Sequence, residues 1–279
     1  MKPKRPIMRY HGGKWRMASW IIAHLPPHRI YVEPFGGAAS VLLKKPRAYA
    51  EIYNDLDGEV VNIFRVLQDP ATAAELKRRC ELTPFSRAEF ERAYEETDDA
   101  IEAARRMLIR SWMGHGASGV RKHRTGFRVN PFRQRTTAAG DWNGWPAAIP
   151  DFTERLRGVT IESRPAPLLI ARMDEAETLF YVDPPYMFAT RSQKRSRGDL
   201  YHGYRHELTD EDHAALLRQL KALTGMVVLS GYDSDLYALE LKGWTRIEKQ
   251  AFADRGGSRT EVIWLNRAAV AAGRMAEAA

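Results

Sequence analysis

Two short apolar strands, each running through a turn straight into an amphipathic helix, constrain this chain more than any other feature. Arg29 to Glu33 reads as a short buried strand, broken by Pro34 and the pair Gly36-Gly37, with a helical stretch through Ser40, Val41, Leu42 and Leu43 behind it. Ala48 to Tyr53 reads as a second strand that ends at Asn54-Asp55. Val60, Ile63, Phe64 and Leu67 follow it at helical spacing. A strand-helix-strand-helix start predicts an α/β fold with a parallel sheet, because parallel neighbours need a crossover connection. The alternation resumes later: strand Val159 to Glu162, helix Pro167 to Met173, strand Thr178 to Val182, helix Thr209 to Leu223 and strand Met226 to Ser230. Two last strands, near Thr245 to Phe252 and Thr260 to Asn266, flank Asp254-Arg255-Gly256-Gly257-Ser258, a hairpin signal.

Between these alternating ends the pattern changes. From about Pro70 to Met113 it is helical only, with Ala73, Leu76, Cys80, Phe90, Tyr94, Ile101, Met107, Leu108 and Ile109 as the apolar positions. Gly114 to Pro150 has no clear period and is too long for a simple connection. The expected organisation is one discontinuous domain, residues 1–56 and 158–279, interrupted by an inserted helical, loop-rich domain over 57–157. A chain of 279 residues can bury a core for both. Ahead of the first strand, Trp15, Ala18, Ile21, Ile22 and Leu25 predict a helix. The Ala-rich stretch beyond Arg267 reads as a frayed tail.

Charge narrows the partners. Lys and Arg total 43 against 35 Asp and Glu, a net +8, and the excess is concentrated. Arg121, Lys122, Arg124, Arg128, Arg133 and Arg135 occur with no intervening acid, and Arg191, Lys194, Arg195 and Arg197 form a second cluster. Such loops neutralise phosphates of DNA or RNA, or are a solvated surface. No apolar run approaches the ~20 residues that span a bilayer, and the N-terminus lacks the apolar segment of a signal peptide, so no membrane partner and a cytoplasmic location are expected. Cys80, the single cysteine, excludes an internal disulfide. His202 and His206 are four apart but lack further ligands, so no metal is expected. Trp142 and Trp145 read as core anchors of the irregular region, with base stacking as the other use.

The sharpest chemical feature is Asp183-Pro184-Pro185-Tyr186, directly after the apolar strand Leu179 to Val182. In open α/β sheets ligands bind outside the carboxyl ends of strands. Consecutive prolines lack N–H donors, leaving the Asp183 carboxylate and nearby carbonyls as pure acceptors beside an aromatic ring. If Asp183 and the Pro184 carbonyl each accept one N–H of a planar amine, its nitrogen can become tetrahedral and present its lone pair, with Tyr186 stacked on the ring. Taken alone, the tetrapeptide also fits a proline turn that caps a strand. Glu33-Pro34-Phe35-Gly36-Gly37-Ala38-Ala39-Ser40 has small residues that let a ligand approach the backbone. It is not a phosphate-binding GxxxxGK[ST] loop. Asp55, about 20 residues on, has the placement of an acid that accepts ribose hydroxyls.

Together and in this order, Arg9 to Lys14 (RYHGGK), EPFGGAAS, Tyr53 to Asp57 (YNDLD) and Tyr181 to Tyr186 (YVDPPY) resemble the Dam-type DNA adenine-N(6) methyltransferases. The resemblance implies a Rossmann-like S-adenosylmethionine-dependent methyltransferase fold with an inserted target-recognition domain, and site-specific methylation of adenine N6 in duplex DNA by base flipping. It implies S-adenosylmethionine as cofactor, met by Tyr10, Lys14, Glu33, Phe35, Gly36, Gly37, Asp55 and Asp183. Asp183, Pro184, Pro185 and Tyr186 would be catalytic. DNA would be met by Arg121, Lys122, Arg124, Arg128, Arg133, Arg135, Arg191, Lys194 and Arg195, with a monomer as the default state. Tyr10 stands where the family commonly has Trp, and Ala39 where its loop has a second glycine. Methylation of an RNA base or a protein glutamine is the alternative within the same chemistry. A DNA-binding module without catalysis is the alternative outside it.

Overall fold

The computed structural model describes residues 2–116, 124–129, 131–132, 136–190, 204–252 and 258–277. The strands are β1 (Ile30–Glu33), β2 (Ala50–Asn54), β3 (Val159–Glu162), β4 (Thr178–Val182), β5 (Met226–Gly231), β6 (Thr245–Phe252) and β7 (Ser258–Leu265). They form one seven-strand sheet in the order β3-β2-β1-β4-β5-β7-β6. β1 runs parallel to β2 and β4, and β4 parallel to β5, while β7 is antiparallel to both β5 and β6. The fold is therefore mixed α/β and Rossmann-like, with a strand order that reverses between β1 and β4.

Contacts divide the chain into two compact units: residues 1–18, 37–45 and 57–161 in the first, and 19–36, 46–56 and 162–279 in the second. The first unit is helical: α2 (Ser40–Lys44), α3 (Gly58–Gln68), α4 (Pro70–Glu81), α5 (Arg87–Arg92), α6 (Ala100–Met113), α7 (Ala138–Asn143) and α8 (Ile149–Leu156). Its helix starts follow from local chemistry. Asp57, Asp69, Ser86, Asp99 and Thr137 each accept a hydrogen bond from the first turn they precede. Pro70 follows Asp69 at the first helical position, where its missing N–H costs nothing. Trp112, Trp142 and Trp145 are buried here, and each indole N–H donates to a carbonyl: to Ile7 at 3.2 Å, Thr83 at 2.9 Å and Pro6 at 3.2 Å. The aromatic anchors of the irregular region are thus core. Cys80 is buried in the same unit, and burial pushes its thiol up to about 12, which removes it as a nucleophile.

The second unit holds β1, β2, β4, β5, β6 and β7, with α1 (Ala18–Ile22), α9 (Ala166–Arg172), α10 (Asp210–Ala222), α11 (Asp235–Glu240) and α12 (Arg267–Glu277). One sheet face carries Val32, Ile52, Phe180, Val182, Val227 and Leu229, packed with Leu169, Ile170, Leu216, Leu217 and Leu220 of the helices. Strand alternation puts the other residues of the same strands on the opposite face.

Two expectations are corrected. α1 is only five residues, because its flanks tighten into three-residue turns at Lys14–Met17 and Ile21–His24. The stretch after Arg267 is a helix rather than a frayed tail. Asn266 anchors it: Oδ1 accepts from Val227 N at 3.0 Å and Ala269 N at 2.9 Å, while Nδ2 donates to Gly225 O at 2.9 Å. A residue that caps a helix and ties β5 at once holds an Ala-rich segment that propensity alone already favours. Among the described residues no helix is long and apolar enough to cross a membrane.

Candidate active site

Parallel register aligns the functional strand ends. Ile30, Tyr31 and Val32 face Thr178, Leu179 and Phe180, so the chain leaves β1 at Pro34 and β4 at Asp183 on the same rim of the sheet. This is the carboxyl end of two neighbouring strands at the point where strand order reverses, the position at which open sheets bind ligands. β2 ends on β1's other side with Glu33 opposite Tyr53, and Asp55 follows.

The β1 exit is held by Asn54, which is 1% exposed. Its Nδ2 donates to Pro34 O at 2.8 Å and Arg164 O at 3.0 Å, and its Oδ1 accepts from Arg164 N at 2.8 Å. Its carbonyl accepts from Gly36 N at 2.7 Å. In the sequence Asn54 reads only as a strand end, since nothing local shows that its amide spans 110 residues. Asn54→Ala should leave one buried and two part-buried backbone groups without this partner and cost about 2 kcal/mol. A thermal melt should show the midpoint falling by roughly 4–8 °C.

The glycines have separate reasons. A Cβ on Gly36 would lie 2.1 Å from Tyr53 Cε2, so the residue must be glycine for packing. Gly37 has φ +47°, and its Cβ would lie 2.8 Å from Cε1 of Tyr10, which ties the Tyr10 ring to this turn inside the first unit. Ala39 has φ +51°, the one non-glycine with positive φ among the described residues. Left-handed alanine costs about 1–2 kcal/mol, which accounts for glycine as the alternative occupant there.

Glu33 is 2% exposed, and one of its oxygens accepts from Tyr31 OH at 3.0 Å; burial and that carboxylate push the Tyr31 hydroxyl well above its ordinary range. Phe35 is half-buried against the apolar core of the second unit. Asp55 and Asp183 are half-buried. In the first unit Lys14 is buried, with Nζ donating to Gly12 O at 3.0 Å.

After Asp183, Pro184 is buried and Pro185 half-buried, and Tyr186 is 8% exposed. The Tyr186 hydroxyl lies 3.4 Å from both Ser230 Oγ and Glu261 Oε2. Burial, then Asp183, then Glu261, raise it well above the ordinary tyrosine range, so it remains a neutral O–H. Behind the motif, Tyr237 OH lies 3.1 Å from His213 Nδ1, and burial, with Asp183 adding, raises that hydroxyl too.

Of the basic residues expected to meet DNA, two lie among the described residues. Arg124 is exposed, its guanidinium over the Tyr94 ring at 5.6 Å. Arg128 is 9% exposed, 3.6 Å from the Asp141 carboxylate, with its backbone N–H donating to Met113 O at 2.7 Å. That ion pair lies inside the first unit. Arg121, Lys122, Arg133, Arg135, Arg191, Lys194 and Arg195 lie outside the described residues. Among the described residues no group of three His, Cys, Asp or Glu has the arrangement of a metal site.

Residues 10–252 match the family model of D12 class N6 adenine-specific DNA methyltransferase. A DNA adenine methylase of Salmonella typhi is 22% identical over 275 residues, covering 94% of both chains. One of Vibrio cholerae serotype O1 is 25% identical over 193 residues, 67% of this chain and 66% of that protein. One of Serratia marcescens is 32% identical over 68 residues, 24% of this chain and 25% of that one.

Proposed function

Since the chain belongs to the D12 class N6 adenine-specific DNA methyltransferases and so methylates adenine in DNA site-specifically, we propose that S-adenosylmethionine is its methyl donor and that Asp183 to Tyr186 hold the adenine amine. The observation that carries this reading is the exit of β4 into Asp183-Pro184 beside the β1 exit, at the reversal of strand order.

The donor set suits this cofactor. Glu33, Asp55 and Asp183 end or follow three adjacent strands, giving acceptors for ribose hydroxyls and an ammonium and negative charge near a sulfonium. When bound, S-adenosylmethionine supplies an electrophilic methyl on its sulfonium sulfur. In this reading Asp55 accepts from the ribose, and Glu33, Phe35 and Gly36 form the loop around the methionine part. In this reading Tyr10, Lys14 and Gly37 meet the cofactor as well.

The amine is handled by the chain's own atoms. The Asp183 carboxylate and the Pro184 carbonyl each accept one N6–H of adenine, which localises the nitrogen lone pair and takes up developing positive charge. Pro185 holds the turn rigid, and Tyr186 stacks on the base. Holding the reactants in line removes much of the entropic cost of a bimolecular transfer.

A base inside a duplex must leave its stack, at a cost of a few kcal/mol. Residues 57–157 serve as target recognition. Arg121, Lys122, Arg124, Arg128, Arg133, Arg135, Arg191, Lys194 and Arg195 contact phosphates in duplex DNA, which makes affinity fall with salt. The compartment is the cytoplasm, where such a chain meets its DNA.

Tritiated S-adenosylmethionine incubated with the chain and unmethylated DNA, RNA or protein should label DNA alone, with the label recovered as N6-methyladenine. Label in RNA or in protein glutamine at the same rate would overturn the substrate reading.

A further inference from the structure

The Tyr186 hydroxyl is anchored by residues that lie 44 and 75 positions away in the chain. β5 faces β7 with Ser230 opposite Ile263 and Gly231 opposite Val262, so the next pair outward is Tyr232 beside Glu261. Strand alternation puts Ser230, Tyr232 and Glu261 on one face, opposite the one that carries Leu229, Val262 and Trp264 into the apolar core. Three polar side chains thus gather where Tyr186 arrives from β4.

The carboxylate of Glu261 is shared. Its Oε1 accepts from Tyr232 OH at 3.2 Å, and its Oε2 lies 3.4 Å from Tyr186 OH. The two tyrosine rings meet edge to face, centroids 4.5 Å apart at 61°. Stacking on a base needs only an aromatic face, which phenylalanine would supply. A hydroxyl directed at a carboxylate, with a second tyrosine on that carboxylate's other oxygen, adds orientation.

We propose that Glu261, braced by Tyr232, is a positioning residue: it fixes the tilt of the Tyr186 ring and thereby the pose of the adenine whose N6 receives the methyl group. The proposal rests on the reading of Asp183 to Tyr186 as the amine-holding motif. A misplacement on the order of 1 Å at a reacting centre can cost about 10²-fold in rate. Glu261 therefore acts on turnover and leaves cofactor affinity alone.

The test is a double-mutant cycle on the full chain, with methyl transfer to unmethylated DNA as the readout. Glu261→Gln keeps the volume and one oxygen acceptor, and Tyr186→Phe keeps the stacking face while removing the hydroxyl. Glu261→Gln should lower kcat about 10- to 100-fold with KM for S-adenosylmethionine within about twofold. Tyr232→Phe should lower kcat by a smaller factor. Combined with Tyr186→Phe, the Glu261 change should add nothing further. Wild-type kcat in Glu261→Gln, or losses that multiply in the double variant, overturn the proposal. So does a loss that disappears when each variant is assayed well below its own melting midpoint, because the role is then only structural. Asp183→Ala is run alongside. If it keeps wild-type transfer, the reading of the motif itself fails; if it is inactive while Glu261→Gln is unimpaired, only the positioning role fails.

Discussion

Asp183→Ala should lower methyl transfer to adenine N6 by about 10³-fold or more, the scale set by loss of an acceptor that stabilises charge in the transition state. The exocyclic nitrogen of adenine is a poor nucleophile while its lone pair is delocalised, and Asp183 is the one charged acceptor in its motif. Alanine leaves the Pro184 carbonyl alone to hold the amine. The Asp183→Asn change keeps an oxygen acceptor without the charge, so it should lose less than Asp183→Ala. DNA affinity should stay within a few-fold of wild type, because phosphate contacts are the main source of affinity and are assigned to basic residues elsewhere in the chain. Single-turnover methylation beside a gel-shift titration separates the two quantities. A variant that binds DNA and still methylates at near the wild-type rate removes Asp183 from the chemistry.

Gly36→Ala should be the most damaging small substitution for stability. The added Cβ would sit 2.1 Å from Cε2 and 2.6 Å from Cδ2 of Tyr53, and 2.9 Å from the Asn54 carbonyl. Tyr53 is fully buried, and that same carbonyl accepts the Gly36 N–H, so neither neighbour has room to withdraw. Overpacking of this kind costs about 3 kcal/mol, which for a chain of this size lowers the melting midpoint by roughly 6–12 °C. KM for S-adenosylmethionine should rise as well, since the strain falls on the loop assigned to the cofactor. A midpoint within about 1–2 °C of wild type would show that Tyr53 can give way.

Much of the sheet is readable from the chain, for an identifiable reason. β1, β2, β4 and β5 are short apolar runs closed by Pro, Gly, Asn or Asp, and two-sided burial in a parallel sheet produces that pattern. β3 is legible as a short strand between two helices, and the β6–β7 pair by its hairpin signal. α11 is not, because six residues hold too little periodicity to register. The candidate site is legible where its residues are contiguous, as in Glu33 to Ala39 and Asp183 to Tyr186. It is illegible where partners come from distant parts of the chain: Asn54 reaching Arg164, and Glu261 and Ser230 reaching Tyr186. The burial of Arg128 is illegible too. Its cationic neighbourhood reads as surface, yet its guanidinium pairs with Asp141, and charge clustering in sequence carries no information about such burial.

The partition of the chain bears on any attempt to transplant target preference between relatives. The first unit takes residues 1–18 and 37–45 as well as 57–161, and one boundary falls between Gly36 and Gly37. The buried Arg155 guanidinium donates to the Leu42 carbonyl at 2.5 Å, so even the late helix α8 leans on that early segment. A chimera that exchanges only 57–157 would set a foreign α8 against a resident α2 and lose this bond unless the donor also carries arginine there. Hybrids that move the two leading segments with the central one preserve the unit's own seams.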